Sequence, residues 1–152
     1  MKVDDIDLRI IRELVKDGRQ PVAQLAERTQ VSRAHAYTRL TRLVDGGVIE
    51  GFSARVRPES LGLPVSAIVL LSGGQSVAEE LRPRLLEIPE IEYAAYLAGR
   101  PDILLIVRVD SIESLKSMLL DTLRSLPGIR STETLLVIDE VVSRQVLPRV
   151  DG

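Results

Sequence analysis

Two short units, IPEI at 88–91 and LPGI at 126–129, stand 38 residues apart, and each closes a helical pattern and opens a strand pattern. Proline cannot continue a helix, because it lacks the backbone donor and its ring clashes with the preceding turn. Upstream of each unit lies an apolar run of strand length, VSAIVLLS (65–72) and DILLIVRV (102–109). A helix separates each run from its unit. The first starts at about Ser76, where Ser76 and Glu79 fit a capping box. The second is capped by Ser111, with Ile112, Leu115, Leu119 and Leu126 in phase. IPEIEYAAYLAG and LPGIRSTETLLVID supply the returning strands. Two strand-helix-strand units in tandem predict an α+β fold, a ferredoxin-like βαββαβ sandwich. Pro83 should kink the first of these helices or force it to start late.

The same strands carry a statement about partners. Both helices of such a sandwich cover one face of the sheet, so an independent monomer should alternate apolar and polar residues. AIVLL, ILLIV and LLVI are apolar on both faces. The second face must therefore be buried, most economically by the same sheet of another subunit about a two-fold axis. The alternative is a tail, residues 141–152, whose stretch from Val141 to Val150 folds back over the sheet.

The first 58 residues follow a different rule. DDIDLRIIRELVKD (4–17) places Leu8, Ile11, Leu14 and Val15 at helical spacing, with Asp4 or Asp5 to cap and Gly18 to end the turn. A second, two-turn helix starts near Pro21, with Val22, Leu25 and Ala26 as its apolar stripe. Ser32 caps a third helix running to about Asp45 and stopped by Gly46 and Gly47. Ala36, Leu40 and Leu43 share its inner face; Ala34, His35, Thr38, Arg39, Thr41 and Arg42 fill the outer arc. This order is the helix-turn-helix arrangement, with the motif at about 22–41. Ala26 is small where the helices cross, and Val31 plugs the turn. Gln30 occupies the position where the turn favours glycine for its left-handed backbone. VIEGFSARVRP then reads as an extended exit. The expected boundaries are 1–58 for this domain, 59–64 for a linker rich in Pro and Gly, and 65–140 for the second domain.

Charge divides along the same line. Residues 1–58 carry a net +3 and residues 59–152 a net −5, within a chain of net charge −2. A local basic field on an acidic protein suits a nucleic-acid-binding module. The chain has no cysteine, which excludes disulfides and thiolate metal sites. The N-terminus is acidic where a secretory signal would be basic, and the apolar runs fall far short of the roughly 20 residues that span a bilayer. A cytoplasmic location is expected.

DDIDLRIIRELVKDGR and LAERTQVSRAHAYTRLTRLVDGGVIEGFSA resemble the N-terminal domain of the Lrp/AsnC family of transcriptional regulators. The acidic start, DGR, LA, the capping serine, R-x-x-R-L and G-x-I-x-G-F all have counterparts. AGRPDILL (98–105) resembles the G-x-x-D element of the family's ligand-sensing domain, and LPGIRSTETLLVID its last helix-strand junction. The resemblance implies a winged-type helix-turn-helix domain joined to a RAM/ACT-like ferredoxin domain. It also implies double-stranded DNA as partner, assembly into a dimer and on to a tetramer or octamer, and an amino-acid effector, with no cofactor.

Expected roles follow by position. Arg33, His35 and Thr38 are the base-edge candidates, since arginine suits guanine O6 and N7 and Thr38 can touch a thymine methyl. Arg42 is expected on a phosphate. Arg39 either holds a phosphate or braces an acidic residue of the first helix. Tyr37 is expected to pack. Arg55 and Arg57 reach phosphates from the exit segment or are plain exposed residues.

In the second domain, Gly99, Arg100 and Asp102 form a loop in which glycine permits close approach and the carboxylate suits an α-ammonium group. Tyr96, Thr134 and Leu136, taken to lie on neighbouring strands, would complete the pocket. The alternative is an ordinary turn in which Asp102 satisfies its own backbone. Arg100, Pro101 and Ala98 depart from the family's habits at this loop, so no particular amino acid is carried over.

Two other functions fit the sequence less well. An enzyme on this architecture wants a positioned histidine or paired carboxylates; the sole histidine, His35, sits on the reading helix. A scaffold oligomer whose helix-turn-helix docks a protein would not require the basic outer face of the third helix.

Overall fold

Asp4 carries the capping box that starts the first helix, α1 (Asp5–Lys16): its Oδ1 accepts from the Asp7 N–H at 2.9 Å, and Asp7 Oδ2 accepts from the Asp4 N–H at 3.1 Å. The computed structural model describes residues 2–73, 77–141 and 146–148. These fall into two compact units, one reaching to Arg55 and including the described tail residues, the other Val56–Val141.

In the helical unit, α1 is followed by α2 (Val22–Thr29) and α3 (Arg33–Asp45). Pro21 is the residue before α2 rather than its first, with extended backbone. Gln30 adopts φ 58 and ψ 43, and this left-handed step ends α2 while Val31 N–H donates to the Ala26 carbonyl at 3.0 Å. Ile10, Leu25 and Leu43 form the fully buried centre, with Ile6, Ile11, Leu14, Leu40 and Ile49 packed around it. Each such side chain contributes about 1.5–3 kcal/mol on burial. Ala26 and Ala36 are buried where α2 and α3 cross, as their size requires. Residues 51–57 pair with no strand among the described residues. In the tail, the Pro148 carbonyl accepts from Arg12 Nη2. Residues 146–148 thus group with the helices, and residues 142–145 and 149–152 of the expected tail lie outside the described residues.

The second unit is a four-stranded antiparallel sheet, β1 (Val65–Ser72), β2 (Ile91–Tyr96), β3 (Ile103–Val109) and β4 (Ser131–Leu136), in the order β2-β3-β1-β4. This is the order of the βαββαβ sandwich. A short 3-10 turn, Pro58–Leu61, precedes it, closed by Gly62 at φ +78. α4 (Val77–Leu86) and α5 (Ile112–Ser117) cover one face. Ala67, Val69 and Leu71 of β1 and Ile103, Leu105 and Val107 of β3 meet Leu81, Leu85, Leu115 and Met118 there.

The helices hold the corrections. The expected cap at Ser76 lies outside the described residues. α4 has formed by Val77 and runs through Pro83 to Leu86, so Pro83 does not delay the helix to its own position. The second helix is not one regular helix to Leu126: α5 passes into a π turn (Met118–Thr122) and a 3-10 turn (Leu123–Ser125). Within the π turn the Leu123 N–H donates to the Met118 carbonyl, five residues back, which aligns Met118 and Leu123 on the core. Ile112, expected inside, is instead 55% exposed. Among the described residues no helix is long and apolar enough to cross a membrane.

Candidate functional site

α3 starts at Ser32, whose Oγ accepts from the His35 N–H at 3.2 Å, and Ala36, Leu40 and Leu43 hold its inner side. Arg33, Ala34, His35, Thr38, Thr41 and Arg42 are exposed. Tyr37, expected to pack, is 63% exposed. At 100° per residue it lies about 100° from Ala36, outside a buried arc that Leu40 and Arg39 bound.

The outer face is tied to the start of α1 through Asp7, whose side chain is wholly buried. Arg39 Nη1 donates to Asp7 Oδ1 at 2.8 Å and to Asp4 at 2.7 Å, and Arg39 Nε donates to His35 Nε2 at 2.8 Å. Arg42 Nη2 donates to Asp7 Oδ2 at 2.6 Å. The Arg39 guanidinium, aided by the Asp7 N–H, holds the Asp4 carboxyl at about 2, and the two carboxylates raise the guanidinium's own pKa. Arg39 is thus the brace of the two alternatives; its side chain is only 14% exposed. Arg42 is 46% exposed and keeps donors to spare. Thr38 Oγ1 donates to the Ala34 carbonyl at 3.0 Å, which leaves its methyl group free. Arg33 has no side-chain partner among the described residues. Arg55 is exposed in the exit segment of this unit, whereas Arg57 belongs to the other.

Sequence reasoning missed Asp7. Its helical phase aligns it with Ile10, Ile11 and Leu14, and that signal was available, but a carboxylate on an apolar face reads as a boundary residue. Thr29 was also missed: its buried hydroxyl donates to the Leu25 carbonyl at 2.7 Å.

In the second unit the expected effector residues separate. Gly99, Arg100 and Asp102 line a polar cavity of about 680 Å³ at one end of the sheet, with Ser72, Arg130 and Ser131. Asp102 does not satisfy its own loop: its Oδ2 accepts from the Gly73 N–H at 2.7 Å, pinning the β2–β3 loop to the exit of β1. Gly99 sits at φ +156 with open space where a Cβ would point. Tyr96 lies elsewhere, in an apolar cavity of about 500 Å³ between α4 and β2, its ring 5.9 Å from the Arg82 guanidinium. Thr134 and Leu136 line neither cavity. β2 and β4 are opposite edges of the sheet, three strand spacings or roughly 14 Å apart, so Tyr96 and Thr134 do not meet within one chain.

The Lrp/AsnC ligand-binding domain model matches residues 66–147, and a winged helix-turn-helix DNA-binding model matches residues 3–50. The HTH-type transcriptional regulator LrpA of Mycobacterium tuberculosis is 35% identical over 147 residues, covering 96% of this chain and 97% of the relative. A transcriptional regulator of Neisseria meningitidis, solved in complex with L-Met, superposes with a TM-score of 0.90 at 27% identity over 97% of each chain. AsnC of Escherichia coli does so with a TM-score of 0.89 at 26% identity, covering 97% of this chain and all of that one. Matches to both domain models, and a relative alike from end to end, establish that the chain belongs to the Lrp/AsnC family of helix-turn-helix transcriptional regulators.

Proposed function

We propose that this regulator reads DNA through the outer face of α3 and is tuned by an amino acid or related metabolite bound to the sheet domain. The observation that carries the reading is the division of labour on α3. Arg33, His35 and Thr38 stand outward on its early turns, Arg42 keeps free donors for a phosphate, and Arg39 locks the helix to α1. Arg55 adds a backbone contact from the exit segment. A protein-docking helix needs no such donors, which disfavours the scaffold reading.

The effector half of the proposal rests on the polar cavity around Gly99, Arg100 and Asp102 and on the L-Met bound to the Neisseria relative. Tyr96, Thr134 and Leu136 join the effector site only if a second chain brings the two sheet edges together. Self-association follows from the face of the sheet that the helices leave bare. There Tyr93, Ile106, Ile68 and Leu135 stand in register across all four strands. Such a row is covered by its own copy about a two-fold axis, which would present two α3 helices to a symmetric site. Tetramers or octamers build on that dimer, in the cytoplasm with the DNA.

The test is binding to the gene's own upstream DNA across a salt series, with and without each amino acid. Affinity above that for random DNA, altered by at least one amino acid, is the expected result. Equal affinity for both DNAs defeats the regulator reading, and indifference to every amino acid defeats the sensing half.

A further inference from the structure

The polar cavity is built from three segments that end together: Ser72 at the close of β1, the Gly99–Asp102 loop, and Arg130–Ser131 at the start of β4. Backbone bonds fix them, with Asp102 N–H donating to the Leu71 carbonyl at 3.0 Å and Arg130 N–H to the Ser72 carbonyl at 2.8 Å. The residues that line it are glycine, serine, arginine and aspartate, with no apolar side chain among them. Among the described residues of one chain, this lining gives an aliphatic ligand side chain no apolar side chain to bury against.

Charge counting goes further. Arg100 and Arg130 are exposed, and neither guanidinium has a hydrogen bond or ion pair to another described residue. Among the described residues Asp102 is the one carboxylate in the lining, and it spends one oxygen on the Gly73 N–H. A bound α-amino acid would satisfy Asp102 with its ammonium group and one arginine with its carboxylate. The second arginine would have no partner from such a ligand, and its planar guanidinium fork is matched to a second carboxylate.

We infer that the effector held at this end of the sheet is an α-amino acid with an acidic side chain, of the aspartate or glutamate type, clamped by Arg100 and Arg130. This rests on the effector-sensing reading above and narrows it to a ligand class. The apolar cavity beside Tyr96, lined by Leu85, Ile88 and Ile91, is the place where an aliphatic amino acid would go instead.

Calorimetric titration of the full chain with L-glutamate, L-aspartate, L-glutamine, L-asparagine, L-leucine and L-methionine tests the inference. The acids should bind at least about tenfold more tightly than their amides, the effect of one charge-assisted bond. Arg130→Gln and Arg100→Gln should each erase that preference while the far-UV circular dichroism stays unchanged, since both side chains are exposed. Amides binding as well as acids, tighter binding of leucine or methionine, or a preference that survives both substitutions would overturn the inference and leave amino-acid sensing intact. Silence toward all six ligands, in calorimetry and in DNA binding, would remove both.

Discussion

Asp7 and Arg39, 32 residues apart in the chain, meet at 2.8 Å with the carboxylate wholly buried, and this pair couples the first turn of α1 to the middle of the reading helix. Breaking a buried pair by removing one partner strands the other. Asp7→Ala should therefore cost about 3 kcal/mol in urea unfolding, and the double substitution with Arg39→Met should cost clearly less than the sum of the two. A loss within about 0.5 kcal/mol of zero, the range of ordinary surface substitutions, would show that the pair does not hold the helices.

Acid should loosen the same junction. The Arg39 guanidinium and the Asp7 N–H hold the Asp4 carboxyl at about 2, against its ordinary 3.8. A depressed folded-state pKa stabilises the fold above the unfolded value, and that contribution drains away as pH falls toward the folded one. Thermal melts should thus show an Asp4-dependent loss between about pH 4 and pH 2. Asp4 is half exposed, so the loss is small. Arg39→Met should remove the larger part of it and leave the share held by the Asp7 N–H. An unchanged acid limb in that variant would contradict the assignment.

Gln30 stores strain at the turn. At φ 58 a side-chain-bearing residue sits in left-handed backbone, at a cost of roughly 1–2 kcal/mol that glycine does not incur. Part of the gain is lost to glycine's greater freedom when unfolded, so Gln30→Gly should stabilise by about 1 kcal/mol. Gln30→Val should destabilise, because a branched side chain fits that region worst. Urea midpoints give the sign directly, and a fall for Gln30→Gly would disprove the account.

The sequence made the elements that obey local rules readable. Ser32, Asp4 and Gly46 mark helix ends through bonds only one turn long, and the strands are bounded by proline and glycine. What escaped depends on contacts distant in the chain. Asp7 is buried only because Arg39 and Arg42 arrive from α3. Leu123 reaches the core five residues after Met118 because a π turn adds a residue to the repeat, and no periodic template contains that insertion. Tyr96, Thr134 and Leu136 read as lying on neighbouring strands, whereas the sheet order puts β2 and β4 on opposite edges.

Substitutions on α3 should separate into three kinds. Arg42→Ala should weaken binding on every DNA sequence and reduce the slope of log affinity against log salt by up to about 1, with some loss of stability because its Nη2 also bonds buried Asp7. Arg33→Ala should alter base preference at one position, worth about 1–3 kcal/mol of discrimination. Arg39→Ala should lower stability, because Asp4 and Asp7 already neutralise its charge. Equal losses on all sequences for Arg33→Ala and Arg42→Ala would refute the division.

The bare sheet face makes the last prediction. Ile68 and Ile106 are cross-strand partners at the middle of the apolar row, and Tyr93 and Leu135 at its ends remain 54% and 47% exposed. A contiguous apolar surface on an antiparallel sheet is covered in solution, and the two-fold copy covers it without leaving a complementary face open. Ile106→Asp would place an unpaired carboxylate in that contact, at a cost of several kcal/mol, without touching the core-facing Leu105 and Val107. Sedimentation should find the parent chain at least dimeric and Ile106→Asp monomeric at the same concentration, with its secondary structure retained. Because each half-site is held weakly alone, the monomer should also lose most of its affinity for a two-half-site DNA while keeping that for one half-site. A parent that sediments as a monomer, or a variant that still dimerises, would mean that the row is buried by something other than a second copy.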